Sequence, residues 1–167
     1  MSRHGETGIY LPATGPRAAG GGTPLQRILV PVGRFGRPER ALALAARFSA
    51  EVGGQLRLVH VRMWEPAGRN GTGRFFSETS EEATALLDKA LTSVWACGVP
   101  ASGVVVDASR SRAARAVAAE ARSWRAGVMV VARRRRTAIG VLVFGSVSAQ
   151  LMREAGCPVL VMHEGRR

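Results

Sequence analysis

Val128-Met-Val-Val-Ala132, Arg133-Arg-Arg-Arg136, a stretch to Phe144-Gly145-Ser146-Val147-Ser148, a short amphipathic run and Pro158-Val-Leu-Val-Met162 decide the fold of this chain. Read in order, they spell a buried strand, a loop, a glycine-serine helix start, a helix and a second buried strand. That is the second half of an α/β domain of the nucleotide-binding type. Four consecutive arginines stand where a phosphate loop of such a domain is glycine-rich.

Outward from this segment, the same alternation runs back to Leu25. Arg27-Ile-Leu-Val-Pro-Val32 is a short apolar run of the kind that forms a fully buried strand, and Gly33 to Arg37 is a loop. Pro38 suits a first helical turn, with Glu39 complementing the helix N-terminus. Ala41, Leu44, Ala45, Phe48 and Val52 recur at helical spacing before Gly53-Gly54 ends the helix. Leu56 to Val61 is a second strand, and Trp64 to Phe76 reads as a long loop.

Thr79 and Glu82 have the spacing of a capping box that opens a second helix. Its expected inward face is Ala83, Leu87, Ala90, Val94 and Cys97. Gly103 to Asp107 gives a third strand. From Ser111 a third helix turns Ala113, Val117, Ala121 and Trp124 inward and Arg112, Arg115 and Arg122 outward. Val128 to Ala132 is the fourth strand, Ser146 opens a fourth helix with Val147, Leu151 and Ala155 inward, and Pro158 to Met162 is the fifth strand.

Strands that are apolar on both faces and alternate with helices demand a parallel sheet covered on both sides. Right-handed crossovers then favour a doubly wound five-stranded sheet of order 3-2-1-4-5, a Rossmann-like α/β fold. Residues 1–24, rich in Gly, Pro, Thr and Ser, are expected to be a disordered tail. Residues 25–163 form the domain and 164–167 a short C-terminal tail.

The chain has 167 residues, 24 Lys+Arg against 12 Asp+Glu, and a net charge of +12 with a pI near 11.6. This balance favours anionic partners: nucleotides, nucleic acid or acidic surfaces. It has a compositional reading of equal weight. Lys89 is the one basic residue that is not arginine, and alanine is abundant, as a GC-rich genome produces. Cys97 and Cys157 have no metal or redox spacing and are expected as inert buried thiols in a reducing compartment. No stretch approaches membrane-spanning length and the first residues lack a secretory apolar core, so the expected location is the cytoplasm.

In a doubly wound sheet, ligands bind beyond the carboxyl ends of the strands where the winding reverses. With order 3-2-1-4-5 the reversal falls between the first and fourth strands, so the loops Gly33–Arg37 and Arg133–Phe144 flank one crevice.

Ile28-Leu-Val-Pro-Val32, Leu58-Val-His-Val61, and Gly145-Ser-Val-Ser148 followed by Cys157-Pro-Val-Leu-Val161 together resemble the universal stress protein family, over about Arg27 to Met162. The resemblance implies a stress-response binding or regulatory module, with ATP as candidate ligand and magnesium left open. Nucleotide-binding members of that family carry G-x-x-G, nine residues and G-[S/T] between the fourth strand and fourth helix. They also carry an acidic residue just after the first strand. Here Gly145 and Ser146 match the second half, and Ser148 fits beside it. The two glycines fall on Ala132 and Arg135, and the acidic position is Gly33.

The candidate nucleotide-binding residues are therefore Val61, Ala132, Arg134, Arg135, Gly145, Ser146, Val147 and Ser148, with Arg133 and Arg136 as anion-binding groups. Arg135 takes space that the backbone approach to a phosphate requires. Its guanidinium offers two-pronged phosphate contacts instead, worth roughly 1.5–3 kcal/mol per charge-assisted bond. Weak or lost ATP binding is the expectation. Each residue also has a structural reading: Gly145-Ser146 as a turn and helix cap, and Arg133–Arg136 as a solvated charge run.

His60 ends a core strand and is expected to be a buried, hydrogen-bonded histidine. No cluster suggests a metal site, and no nucleophile lies near Asp88 or Asp107, so the expectation is a non-enzymatic protein. The apolar fifth strand, Val159, Leu160, Val161 and Met162, is a sheet edge, and the resemblance implies a homodimer joined along it. The alternative function is a basic module that binds nucleic acid or an acidic partner without a nucleotide, through Arg112/Arg115/Arg122 and Arg133–Arg136. The absence of clustered aromatic residues in the sequence argues against single-stranded nucleic acid.

Overall fold

The computed structural model describes residues 9–11, 24–33, 38–68, 73–132 and 146–162. Strand β1 (Ile9–Leu11) is followed by a 3-10 turn at Pro24–Gln26, β2 (Arg27–Val32), helix α1 (Pro38–Glu51), β3 (Gln55–Ala67) and β4 (Gly73–Phe76). Then come α2 (Ser80–Trp95), β5 (Ala101–Ser109), a 3-10 turn at Arg110–Arg112, α3 (Ala113–Ser123), β6 (Val128–Ala132), α4 (Ser146–Glu154) and β7 (Val159–Met162).

The parallel core of the sheet runs β5-β3-β2-β6-β7. This is the 3-2-1-4-5 order expected from the sequence, and the fold is the expected doubly wound α/β class. Two antiparallel strands are added to it. β1 pairs with β5 through Ile9↔Val105 to Leu11↔Gly103, inside the segment expected to be a disordered tail. That expectation is corrected for these three residues. β4 pairs with the far end of β3, from Trp64↔Phe76 to Ala67↔Gly73. The stretch Trp64–Phe76, expected as a loop, is therefore mostly a hairpin built on an over-long β3.

Helices α1 and α2 cover one face of the sheet. There Ile28, Val30, Val32, Leu56, Leu58, Val105 and Val130 pack against Ala41, Leu42, Ala45, Leu87 and Leu91. Helices α3 and α4 cover the other, where Leu29, Val59, Val61, Val104, Met129 and Val131 meet Ala113, Val117, Ala121 and Leu151. The alternation of strand residues between these two cores is the period-two geometry of a pleated sheet buried on both sides.

Local chemistry fixes the elements. In α2 the Thr79 hydroxyl accepts from the Glu82 amide at 3.2 Å, and the Glu82 carboxylate accepts from the Thr79 amide at 2.8 Å. This is the capping box read from the sequence, and it satisfies two amides that a helix start leaves open. α2 lies so close to β5 that a Cβ on Gly103 would sit 2.9 Å from a Leu87 methyl.

Three details of the helices differ from the periodicity reading. Cys97, expected inward, is exposed just past the end of α2, and Leu91 rather than Ala90 is fully buried within the helix. On α1 the fully covered positions include Leu42, Ala46 and Ser49, while Leu44 and Phe48 are only partly covered. Both shifts amount to about one position around a helix whose apolar arc is wide. Arg110–Arg112 form a 3-10 turn, so α3 proper begins at Ala113 rather than Ser111.

Candidate functional site at the carboxyl edge of the sheet

The described register pairs β2 with β6 at Ile28↔Val128 and Leu29↔Met129, whereas β2 stays paired with β3 through Val32↔His60. The ladder between β2 and β6 ends at Leu29↔Met129. Pro31, which has no N–H to donate, stands two residues further on. This is the topological switch point of the sheet: α1 follows β2 on one face and α4 follows β6 on the other.

Here β2 ends at Val32 beside His60 of β3, Gly33 follows it, and β6 ends at Ala132. Gly33 has φ +100°, a left-handed conformation that side-chain-bearing residues rarely adopt. A Cβ placed there would lie 2.5 Å from His60 Nδ1 and 2.7 Å from its Cε1. The imidazole thus fills the space over Gly33. It is 1% exposed, with Nδ1 3.2 Å from the Val32 carbonyl oxygen and Nε2 2.9 Å from Glu78 Oε1. His60 is the buried, hydrogen-bonded histidine expected from its place in a core strand. Glu78 reaches it because it immediately precedes Thr79, whose capping box fixes where α2 begins.

Next to this pair, Arg62 grips Asp107 with Nε at 2.7 Å and a terminal nitrogen at 2.6 Å, and its guanidinium lies 4.2 Å from the centre of the Phe76 ring. The Asp107 hydrogen bond, opposed by burial and aided by the charges of Asp107, Glu78 and Glu81, raises the already high Arg62 pKa. Glu81, at the start of α2, is held below the usual carboxylate range, first by its own backbone amide and then by the Thr79 hydroxyl. Arg74 stacks on Trp64 at 4.7 Å across the β3–β4 hairpin. These alternating arginines and rings tie the hairpin to the sheet.

Among the expected site residues, Val61 is 1% exposed in the α3/α4 core, which leaves only its backbone to face a ligand. Ala132 closes β6, level with Met162 of β7, and is 9% exposed. Ser146, Val147 and Ser148 open α4 as the sequence required, and their backbone alone is described. Arg133, Arg134, Arg135, Arg136 and Gly145 lie outside the described residues. Sequence reading missed Gly33, His60 and Glu78 as one unit. The available signals were a glycine directly after a strand, a histidine in a neighbouring strand and a glutamate directly before a capping threonine.

The basic outer face of α3 is partly occupied within the chain. Arg122 donates to the Glu154 backbone carbonyl at 2.9 Å, closing the C-terminus of α4, and Arg115 pairs with the Glu154 carboxylate at 3.3 Å. Among the described residues, no group of three or more His, Cys, Asp or Glu side chains is placed to hold a metal ion. No described helix is long and apolar enough to cross a membrane.

A doubly wound parallel sheet with helices on both faces defines an α/β domain of the Rossmann-like class. The model of the universal stress protein family matches residues 24–163, and the chain belongs to that family. A search of curated proteins finds no match.

Similar solved structures include a protein of the universal stress protein family from Burkholderia pseudomallei. It is 23% identical with TM-score 0.63, covering 85% of this chain and 98% of that one. The universal stress protein of Archaeoglobus fulgidus in complex with dAMP is 23% identical with TM-score 0.62, covering 81% and 96%. A family member from Arabidopsis thaliana with AMP bound is 17% identical with TM-score 0.57, covering 82% and 90%. At these identities the likeness establishes a common fold.

Proposed function

We propose that this chain is a non-enzymatic, cytoplasmic stress-response module that binds a nucleotide weakly at the β2/β6 crevice and works as a homodimer. The observation that carries the reading is the short β2–β6 ladder, ending at Leu29↔Met129, at the switch point of a universal stress protein domain. Support also comes from the fold shared with proteins whose structures hold dAMP and AMP.

In this reading the Val61 backbone and Ala132 line the crevice, and Gly145, Ser146, Val147 and Ser148 offer amides and hydroxyls at the start of α4. A helix start favours an anion through its free amides. Arg133, Arg134, Arg135 and Arg136 supply positive charge to the phosphates in place of a glycine-rich turn. ATP is the candidate ligand, with magnesium an open accompaniment. Position 33 contributes no carboxylate to hold the ribose or base, which is why the affinity is expected to be low.

The dimer is proposed through β7. This strand pairs with β6 on one side and is the last in the described sheet, and Leu160 is 46% exposed on it. An apolar edge with open backbone groups is completed most simply by the same strand of a second copy.

Native mass spectrometry of the purified protein, with a thermal-shift titration of ATP and magnesium, tests the nucleotide reading. A co-purifying or titrating nucleotide supports it, and its absence in both measurements overturns it.

A further inference from the structure

We infer that the N-terminal strand β1 is a detachable edge cover. While it lies on β5 it keeps that edge from pairing with β5 of a second copy, and its release opens a self-complementary docking surface.

The sequence makes β1 a short strand with defined ends. Ile9, Tyr10 and Leu11 are residue types that suit a pleated strand. Gly8 precedes them and Pro12, which has no N–H to donate, follows. They pair antiparallel with β5 through Ile9↔Val105, Tyr10↔Val104 and Leu11↔Gly103. On its other side β5 is paired with β3 along its whole length, from Leu56↔Ala101 to Trp64↔Ser109. β1 thus stands last in the sheet, and the edge it covers belongs to β5.

What holds β1 there is this pairing and not the path of the chain. β5 and β3 lie between β1 and β2, so the two are three strand spacings apart, roughly 14 Å at about 4.8 Å each. Residues 12–23, with four glycines and two prolines, join Leu11 to the turn at Pro24–Gln26 and are long enough to span about 40 Å. A connection of this length lets β1 leave β5 without moving the domain. It also keeps the strand at an effective concentration on the order of millimolar, enough to hold the edge against dilute competitors.

Release would expose an edge suited to itself. β5 reads Ala101-Ser-Gly-Val-Val-Val-Asp-Ala-Ser109, and its single charged residue, Asp107, is held by Arg62. Val104 and Val105, opposite Tyr10 and Ile9, are buried with β1 in place. An uncharged valine run with open backbone groups is a template for another strand. Orientation selects the partner. The edge takes its cover antiparallel, and two copies of β5 related by a two-fold axis meet antiparallel. A second copy of this chain is therefore the occupant that the vacated edge fits. β7 lies at the opposite end of the sheet, so pairing through β5 adds to any contact made there.

The test uses the full-length chain carrying Ile9→Gly, Tyr10→Gly and Leu11→Gly together, which removes the strand-forming residues and keeps the length. The helical signal in circular dichroism is expected to stay, while the mass in sedimentation rises at least twofold over wild type across a concentration series. A peptide of residues 8–12, added at about millimolar concentration, should return the mass to the wild-type value. An unchanged mass overturns the inference. So does a rise that the peptide leaves unaffected, since another surface would then be responsible.

Hydrogen exchange on the wild-type chain is the second measurement, and it decides if the triple variant does not fold. Amides of residues 103–105 that point towards β1 should exchange about tenfold faster, or more, than the β5 amides bonded to β3, because β1 opens without the rest of the sheet. Equal protection of the two sets overturns the detachable cover.

Discussion

Arg57 of β3 and Glu120 of α3 form an ion pair inside the protein: Nε and a terminal nitrogen of Arg57 each lie 2.9 Å from Glu120 Oε1, and both residues are less than 10% exposed. Arg57 also donates to the Ser102 hydroxyl at 3.0 Å, so one guanidinium joins β3, β5 and α3. Two charges taken out of water contribute little net stability when paired, but removing one partner takes away the attraction that offsets the desolvation of the other.

Glu120→Ala is therefore expected to lower the unfolding free energy by about 3 kcal/mol in urea titration. The double change Arg57→Met with Glu120→Leu should recover most of that loss, because no buried charge is left alone. Equal destabilisation by single and double variants would show that the pair is not what holds α3 in place.

The capping box predicts a smaller effect. Thr79→Ala removes the hydroxyl that accepts from the Glu82 amide and should cost about 1 kcal/mol. Because Thr79 also fixes where Glu78 sits, the histidine signals of His60 in NMR spectra should shift in the same variant. A stability loss with unmoved His60 signals would separate the helix cap from the crevice wall.

The two thiols should differ in reactivity. Cys97 is exposed, while burial pushes the Cys157 thiol pKa up from its ordinary value. The thiolate is the reactive form, so an alkylating reagent at mildly alkaline pH is expected to label Cys97 rapidly and Cys157 slowly. Cys97→Ser should abolish the fast phase alone. The sign for stability follows from the raised folded value. The folded state holds the proton longer, so the contribution of Cys157 is fully present below the unfolded pKa and is lost as pH rises through the folded one.

The proposed dimer gives a direct test. Leu160→Lys places a charge on the exposed side of an edge strand and is expected to convert the dimer to monomer in sedimentation analysis, with little loss of helical signal. An unchanged mass would move the interface away from β7.

The sequence by itself determined the alternation of strands and helices, the five-strand parallel order and the capping box of α2. Each of these is written in short-range patterns: runs apolar on both faces, helical periodicity, and a threonine three residues before a glutamate. It also marked where the winding reverses, between β2 and β6.

What it did not contain was the contact between Gly33 and His60, or the arrival of Glu78 beside that ring. The pairing of the apolar tail strand Ile9–Leu11 with β5, and of Gly73–Phe76 with an extended β3, was equally hidden. All of these join residues far apart in the chain, and a long-range contact leaves no periodicity to read. Only the tertiary structure decided them, since packing α2 against the sheet brings Glu78, His60 and the turn after β2 to one point. There the His60 ring fills the space that a side chain at position 33 would need.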